Sequence, residues 1–220
     1  MQTFQFHQDD AVLSENRPIM ERLRQETRVM HNAAEDQSFM RDLMAGTLSR
    51  EEFAASLPPL KAVRDRLEQR LLAHADHPAI AACFKPHHVT AHLYDADIRF
   101  FGVEEAAHGV PAVEEFRRLV ADAEAADPVL LLGVFYVLEG SNMGASILRR
   151  KVQEAFGLTG DEGTTAMNPH GSELAARWRE FVAAMNALPL TGEQQARMIE
   201  FASNTFRVIG NVYRELPRMV

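Results

Sequence analysis

A chain of 220 residues is long enough for one sizeable hydrophobic core and does not demand a second. Its 46% hydrophobic and 25% charged residues are an ordinary balance for a water-exposed globular protein, and a formal charge of −8 argues against a nucleic-acid binder, which carries a basic footprint. The lone Cys83 cannot close a disulfide within the chain, residues 1–10 lack the apolar centre of a signal peptide, and no apolar run reads as a bilayer span. The expectation is a cytoplasmic protein without membrane contact.

In chain order, residues 1–15 show no clear period and read as a loose arm, while 16–220 read as one helical domain. Pro18 suits a first helical position, and Ile19, Leu23 and Met30 recur at helical spacing to about Glu35. Gly46 punctuates, and Ser49 with Glu52 forms a capping box that opens a helix to about His74. Pro58 and Pro59 should kink or break that helix. His77-Pro78 and Lys85-Pro86 bracket a short turn or helix, and residues 88–101 read as another helix ending at Gly102. Pro111 starts one that ends near Ala126, and Asp127-Pro128 caps a long apolar stretch over 129–156 that contains Gly133, Gly140 and Gly144. A Gly/Thr/Asp/Asn-rich loop over 157–170 precedes helices at about 171–187 and 192–215, the second behind Thr191. No alternating strand pattern appears, so the fold class is all-α, a single domain built on helix packing.

Three features could carry chemistry. His31 has Glu35 four residues on and Thr27 four back, near one helix face. A carboxylate there can hold one ring nitrogen and leave the other for a metal; a solvated His–Glu pair is the alternative. Arg24 would lie roughly 10 Å along the same helix, about the reach from a porphyrin centre to its carboxylate edge. Gly140-Ser141-Asn142-Met143-Gly144 places two glycines on one helix face, room either for a second helix or for a flat ligand. His88 and His92, beside His87, Asp95 and Asp97, stand four apart and either ligate a metal or cover a polar helix surface. Trp178 reads as core. No P-loop, nucleophile elbow or dinucleotide fingerprint occurs, so neither flavin nor nicotinamide is expected.

The stretch from Leu23 to Glu35, with Phe39-Met40-Arg41-Asp42, Gly46 and Ser49 behind it, resembles the start of haem oxygenases. Tyr136-Val137-Leu138-Glu139-Gly140-Ser141-Asn142-Met143-Gly144 is similar to the glycine-rich distal helix of bacterial members, and residues 185–206 resemble the last two helices of the family. The resemblance spans most of 17–215. It implies a multi-helix bundle that holds haem, as substrate and cofactor, between a proximal helix and a kinked Gly-rich distal helix. His31 would be the axial ligand of the haem iron and Glu35 its orienting partner. Gly140, Ser141, Asn142 and Gly144 would line the oxygen side, and Arg24, Thr27, Tyr136, Arg177 and Phe206 would contact the haem. Animal members have an aspartate where this chain has Ser141, so its proton delivery should differ. The reaction implied is oxidative opening of haem to biliverdin, ferrous iron and carbon monoxide with O2 and external electrons. A ferredoxin, flavodoxin or reductase would donate them, and a bilin photoreceptor could accept the product; the basic run Arg149-Arg150-Lys151 is either the donor's docking patch or a solvated stretch of helix. The alternatives are a non-catalytic haem carrier or sensor of the same fold, and a haem-free thiaminase-like hydrolase using Cys83.

Overall fold

The computed structural model describes residues 17–104 and 109–217; the arm expected over 1–15 lies outside them. Ten α-helices are present among the described residues: α1 (Ile19–Glu26), α2 (Arg28–Glu35), α3 (Ser38–Ala45), α4 (Arg50–Ala73), α5 (Pro78–Cys83), α6 (Leu93–Phe101), α7 (Pro111–Ala126), α8 (Leu131–Phe156), α9 (Leu174–Asn186) and α10 (Gly192–Glu215). No strand occurs among them. The all-α, single-domain expectation holds.

Helix boundaries follow local chemistry. At Ser49 the hydroxyl accepts the Glu52 N–H and the Glu52 carboxylate accepts the Ser49 N–H, both at 3.1 Å; Thr191 and Gln194 repeat this reciprocal cap at α10. Gly46, Gly102 and Gly157 close α3, α6 and α8 in the left-handed region, which costs glycine no steric strain.

Three expectations need correction. The helix around His31 is stepped at Thr27, which is 1% exposed and turns its hydroxyl back onto the Leu23 carbonyl at 2.7 Å, a bond that bends helices. Helix α4 runs through Pro58 and Pro59 without breaking, with both rings buried. The helix placed over 88–101 starts only at Leu93, because the Thr90 and Ala91 N–H groups donate to buried Glu68 at 2.9 and 3.1 Å instead of to a preceding turn.

Helix α8 is the axis of the domain. Its first two turns are core, with Leu131, Leu132, Val134, Phe135, Val137 and Leu138 buried. The stretch Pro128–Phe156 is long and apolar enough, by length and composition, to cross a membrane, contrary to the sequence reading; 56% of that window is buried inside the domain, as befits a core helix. Helix α10 packs across α8, α2 and α7, and α4 packs on α6, α7 and α8. The crossing of α8 and α10 depends on Gly133, where a Cβ would stand 2.4 Å from the Met198 carbonyl oxygen and 2.9 Å from its Cγ. Gly133→Ala should therefore lower the thermal midpoint, by the roughly 1–3 kcal/mol typical of overpacking, although alanine is the better helix former. An unchanged or raised midpoint would mean that the two helices separate at no cost.

Candidate functional site

Residues of α2, α3, α4 and α10 and the middle of α8, from Tyr136 to Leu148, line a cavity of about 550 Å³, within the range of small-ligand and cofactor sites. Its walls are mainly apolar: Phe39, Leu57, Leu60, Met143, Phe206 and Ile209 contribute from four helices. Polar groups enter at few places, which is how such sites fix a ligand's orientation.

On the α2 side stand His31 and Glu35. The His31 Nδ1 faces Glu35 Oε2 at 3.6 Å, longer than a direct hydrogen bond, and leaves Nε2 as the free ring nitrogen. Phe206 from α10 meets the imidazole edge to face, with centroids 5.2 Å apart, and so holds the ring at the cavity wall. The His31 side chain is 46% exposed, so the wall is reachable from outside.

Helix α8 runs unbroken through Gly140 and Gly144, so the expected kink does not interrupt the helix. A Cβ at Gly144 would meet nothing within 4 Å, and one at Gly140 would just touch Trp178, at 3.4 Å. Gly144 therefore does not serve helix–helix packing and leaves α8 bare there, while Gly140 lies close under Trp178 of α9; both border the cavity. Ser141 and Asn142 also border it. The Ser141 hydroxyl donates to the Leu138 carbonyl at 2.7 Å, so it faces the cavity with lone pairs rather than a proton. Trp178 belongs to the wall as well as to the core.

Tyr136 borders the cavity one turn before Gly140 and links it to α1. Burial raises its phenol pKa, opposed by a hydrogen bond with Thr27 and by the charge of Arg24, so both stand near the phenol although neither is itself on the cavity wall. Arg177 is not brought there. It pairs with Glu173 and Glu180 at 2.6 and 3.1 Å and, like Arg24 and Thr27, is absent from the cavity wall, but unlike them it has no contact with a residue that borders it there.

The sequence reading misses the buried polar network behind α8. Arg64, on α4, is 6% exposed and borders the cavity. It donates to the Leu138 carbonyl at 2.8 Å, to Asn142 Oδ1 at 3.0 Å and to Thr90 Oγ1 at 3.2 Å. Its signal was present: Leu57, Arg64 and Leu71 repeat every seventh residue on one helix face, so a charge falls on an apolar stripe. Glu139 lies on the same network with His88 and His170; His170 carries no local signal, since it comes from the loop and meets α8 only in the fold.

Burial depresses the His88 pKa to about 4; the Glu139 charge opposes this, and His87, His170 and Arg64 add to it. The Glu139 pKa is lowered: burial would raise it, but the His170 hydrogen bond and the positive charges beside it outweigh burial. Among the described residues no cluster is arranged to hold a metal, and His88 and His92 are not paired on a helix, which removes the metal reading of 87–97. Cys83 is 1% exposed and burial pushes its thiol up to about 12, so it is not an activated nucleophile. The basic run is dispersed: Arg149 pairs with Asp161 and donates to Thr164, exposed Arg150 pairs with Glu154, and Lys151 reaches the Met44 carbonyl.

The helical domain encloses an apolar cavity lined by the imidazole-bearing helix α2 and the glycine-containing stretch of α8, a site for a small ligand or cofactor. The haem oxygenase family model matches residues 17–215, and the chain belongs to that family. It is 28% identical over 209 residues to "Heme oxygenase 2" of Rattus norvegicus, covering 91% of this chain and 66% of that one, so it spans just under two thirds of the relative's length. The haem oxygenase structure from Leptospira interrogans superposes with a TM-score of 0.84 at 20% identity, over 91% of this chain and all (100%) of the other. Haem oxygenase-2 from Synechocystis sp. PCC 6803, solved in complex with haem and NO, gives 0.81 at 23% identity, over 91% and 85%.

Stability should fall with acid in a window set by His88. Its folded pKa, about 4, lies below the ordinary value of 6.5, so the unfolded chain binds the proton first and stability is lost as pH drops from 6.5 toward 4. His88→Gln, which keeps an acceptor for the Lys85 N–H, should flatten that slope by up to about 1.4 kcal/mol per pH unit. Identical slopes in urea titrations of the two proteins would contradict the buried neutral histidine.

Proposed function

We propose that this chain degrades haem, opening the ring to biliverdin, ferrous iron and carbon monoxide at the expense of O2. The observation that carries the reading is that His31 of α2 and the Gly140–Gly144 stretch of α8, open at Gly144, line one apolar cavity. The residues suit haem as substrate: one free imidazole nitrogen on the wall, open space at Gly144 of the same cavity, and a wall phenol with a guanidinium behind it. Bound haem supplies the iron at which oxygen is activated and the carbon skeleton that is cut.

The chain's own part is binding, orientation and exclusion. His31 gives the axial nitrogen and Glu35 orients the ring from the Nδ1 side. Arg24, Thr27 and Tyr136 meet the carboxylate edge, while Phe206 packs beside His31. Ser141 accepts and Asn142 donates hydrogen bonds on the α8 side, in place of the aspartate of animal members. The apolar walls keep bulk water and side reactions away. Arg177, tied to two glutamates, is left out of the haem contacts. The Glu139-Gly140-Ser141-Asn142 stretch supports the bacterial type. Electrons come from a separate donor protein, a ferredoxin, flavodoxin or reductase; the reaction is cytoplasmic, and a bilin photoreceptor is a fitting acceptor of the product. Arg150 of the basic run stays exposed beside Glu154, which leaves the run open as a docking point for that donor.

Haem titrated into the purified protein should give the Soret band of a histidine-ligated complex. Ascorbate in air should then bleach it and yield biliverdin, whereas a carrier would keep its band. His31→Ala should lose the ligated spectrum and turnover while keeping its helical circular dichroism, since alanine suits a helix. A variant with unchanged spectrum and turnover would overturn the assignment.

A further inference from the structure

Glu139 stands immediately before the first glycine of the cavity wall, yet it is 1% exposed and does not itself border the cavity. Taking a carboxylate so far from water costs several kcal/mol unless its oxygens are matched. Both are. Oε1 accepts from His170 Nε2 at 2.9 Å, and Oε2 accepts from Asn142 Nδ2 at 3.0 Å. His88 Nε2 stands 3.9 Å from Oε1, and the His87 ring lies against His88 with centroids 4.1 Å apart.

Asn142, 3% exposed, is thereby held from both ends: its Oδ1 accepts from Arg64 at 3.0 Å while its Nδ2 donates to Glu139. Turning the amide over would set its NH2 against the guanidinium and its oxygen against the carboxylate, so only one orientation is satisfied. The amide has a second N–H besides the one given to Glu139. Because Ser141 spends its own proton on the Leu138 carbonyl, the orientation of Asn142 decides what hydrogen-bonding group this stretch of α8 has to offer.

We propose that Glu139, anchored by His170, is a positioning residue that locks the Asn142 amide on the α8 wall and so fixes the hydrogen bond available to a ligand held there. The inference rests on the haem reading only for the identity of that ligand; the locking itself belongs to the ligand-free protein.

Two measurements test it. In the haem-free protein, exchange of the Asn142 side-chain amide with water, followed by NMR, should be at least tenfold faster in Glu139→Met. It should change little in Glu139→Gln, whose amide oxygen can still accept from Asn142 while its NH2 meets the other His170 tautomer. Should Glu139→Met fail to fold, Glu139→Ala, which leaves room for water on His170, takes its place with the same expectation. In the ferric haem complex, the midpoint pH of the acid–alkaline spectral transition should move by half a unit or more in Glu139→Met and in Asn142→Leu. Combining the two should add nothing, the signature of one residue acting through the other. Unchanged exchange in a folded Met or Ala variant, or additive shifts of the midpoint, would overturn the proposal and leave Glu139 a structural carboxylate. If no protein in the series binds haem, the functional reading fails, and the exchange measurement still decides this one.

Discussion

Burial of the Arg64 guanidinium beneath the cavity is the constraint on which the rest of the site depends. A guanidinium cannot shed its proton inside a protein, and each buried N–H left unmatched costs about 1–3 kcal/mol. Its partners are Thr90 from the turn before α6 and, from α8, the Leu138 carbonyl and the Asn142 side chain. Those partners are then committed themselves. Thr90 gives its hydroxyl and its N–H to Glu68, which sits one turn along α4 from Arg64 and compensates its charge. The turn over 88–92 thus stays out of helix, α8 is fixed against α4, and the glycine strip is held at the cavity.

The cavity is what remains when that frame is closed by small and apolar residues. Gly133 and Gly210 let α10 press against α8 and α2, a Cβ at Gly210 already standing 3.4 Å from the Ala34 Cα. Gly144 does the opposite, leaving α8 without a packing partner at that position. Asp97, fully buried, accepts the Thr165 and Ala166 N–H groups at 2.9 and 2.8 Å and so brings Ala166 and Met167 from the long loop to the cavity edge. The same small residue therefore serves contact in one half of α8 and vacancy in the other.

Much of this was legible in the chain itself. The two capping boxes, the closing glycines and the run of apolar residues over 129–156 place most helices, because each is a local rule with a local cause. His31, Tyr136, Gly140 and Gly144 were found by their spacing and by a family resemblance, and they do gather at one cavity. What was not legible depends on pairs distant in sequence. The late start of α6 follows from Glu68, 25 residues before Leu93, and His170 acquires its role only when the loop folds onto Glu139. Arg177 shows the reverse failure, since a plausible basic residue spends its charge on its own helix neighbours.

The central claim is that a planar macrocycle lies between α2 and α8 with its metal on His31. A crystal structure of the protein grown with ferric haem tests it most directly. The account predicts iron bonded to His31 Nε2, the second face of the ring against the backbone at Gly140 and Gly144, and the propionates toward Tyr136 and Arg24. Haem bound on the outer surface, or iron held by any other residue with the cavity left to solvent, would contradict it.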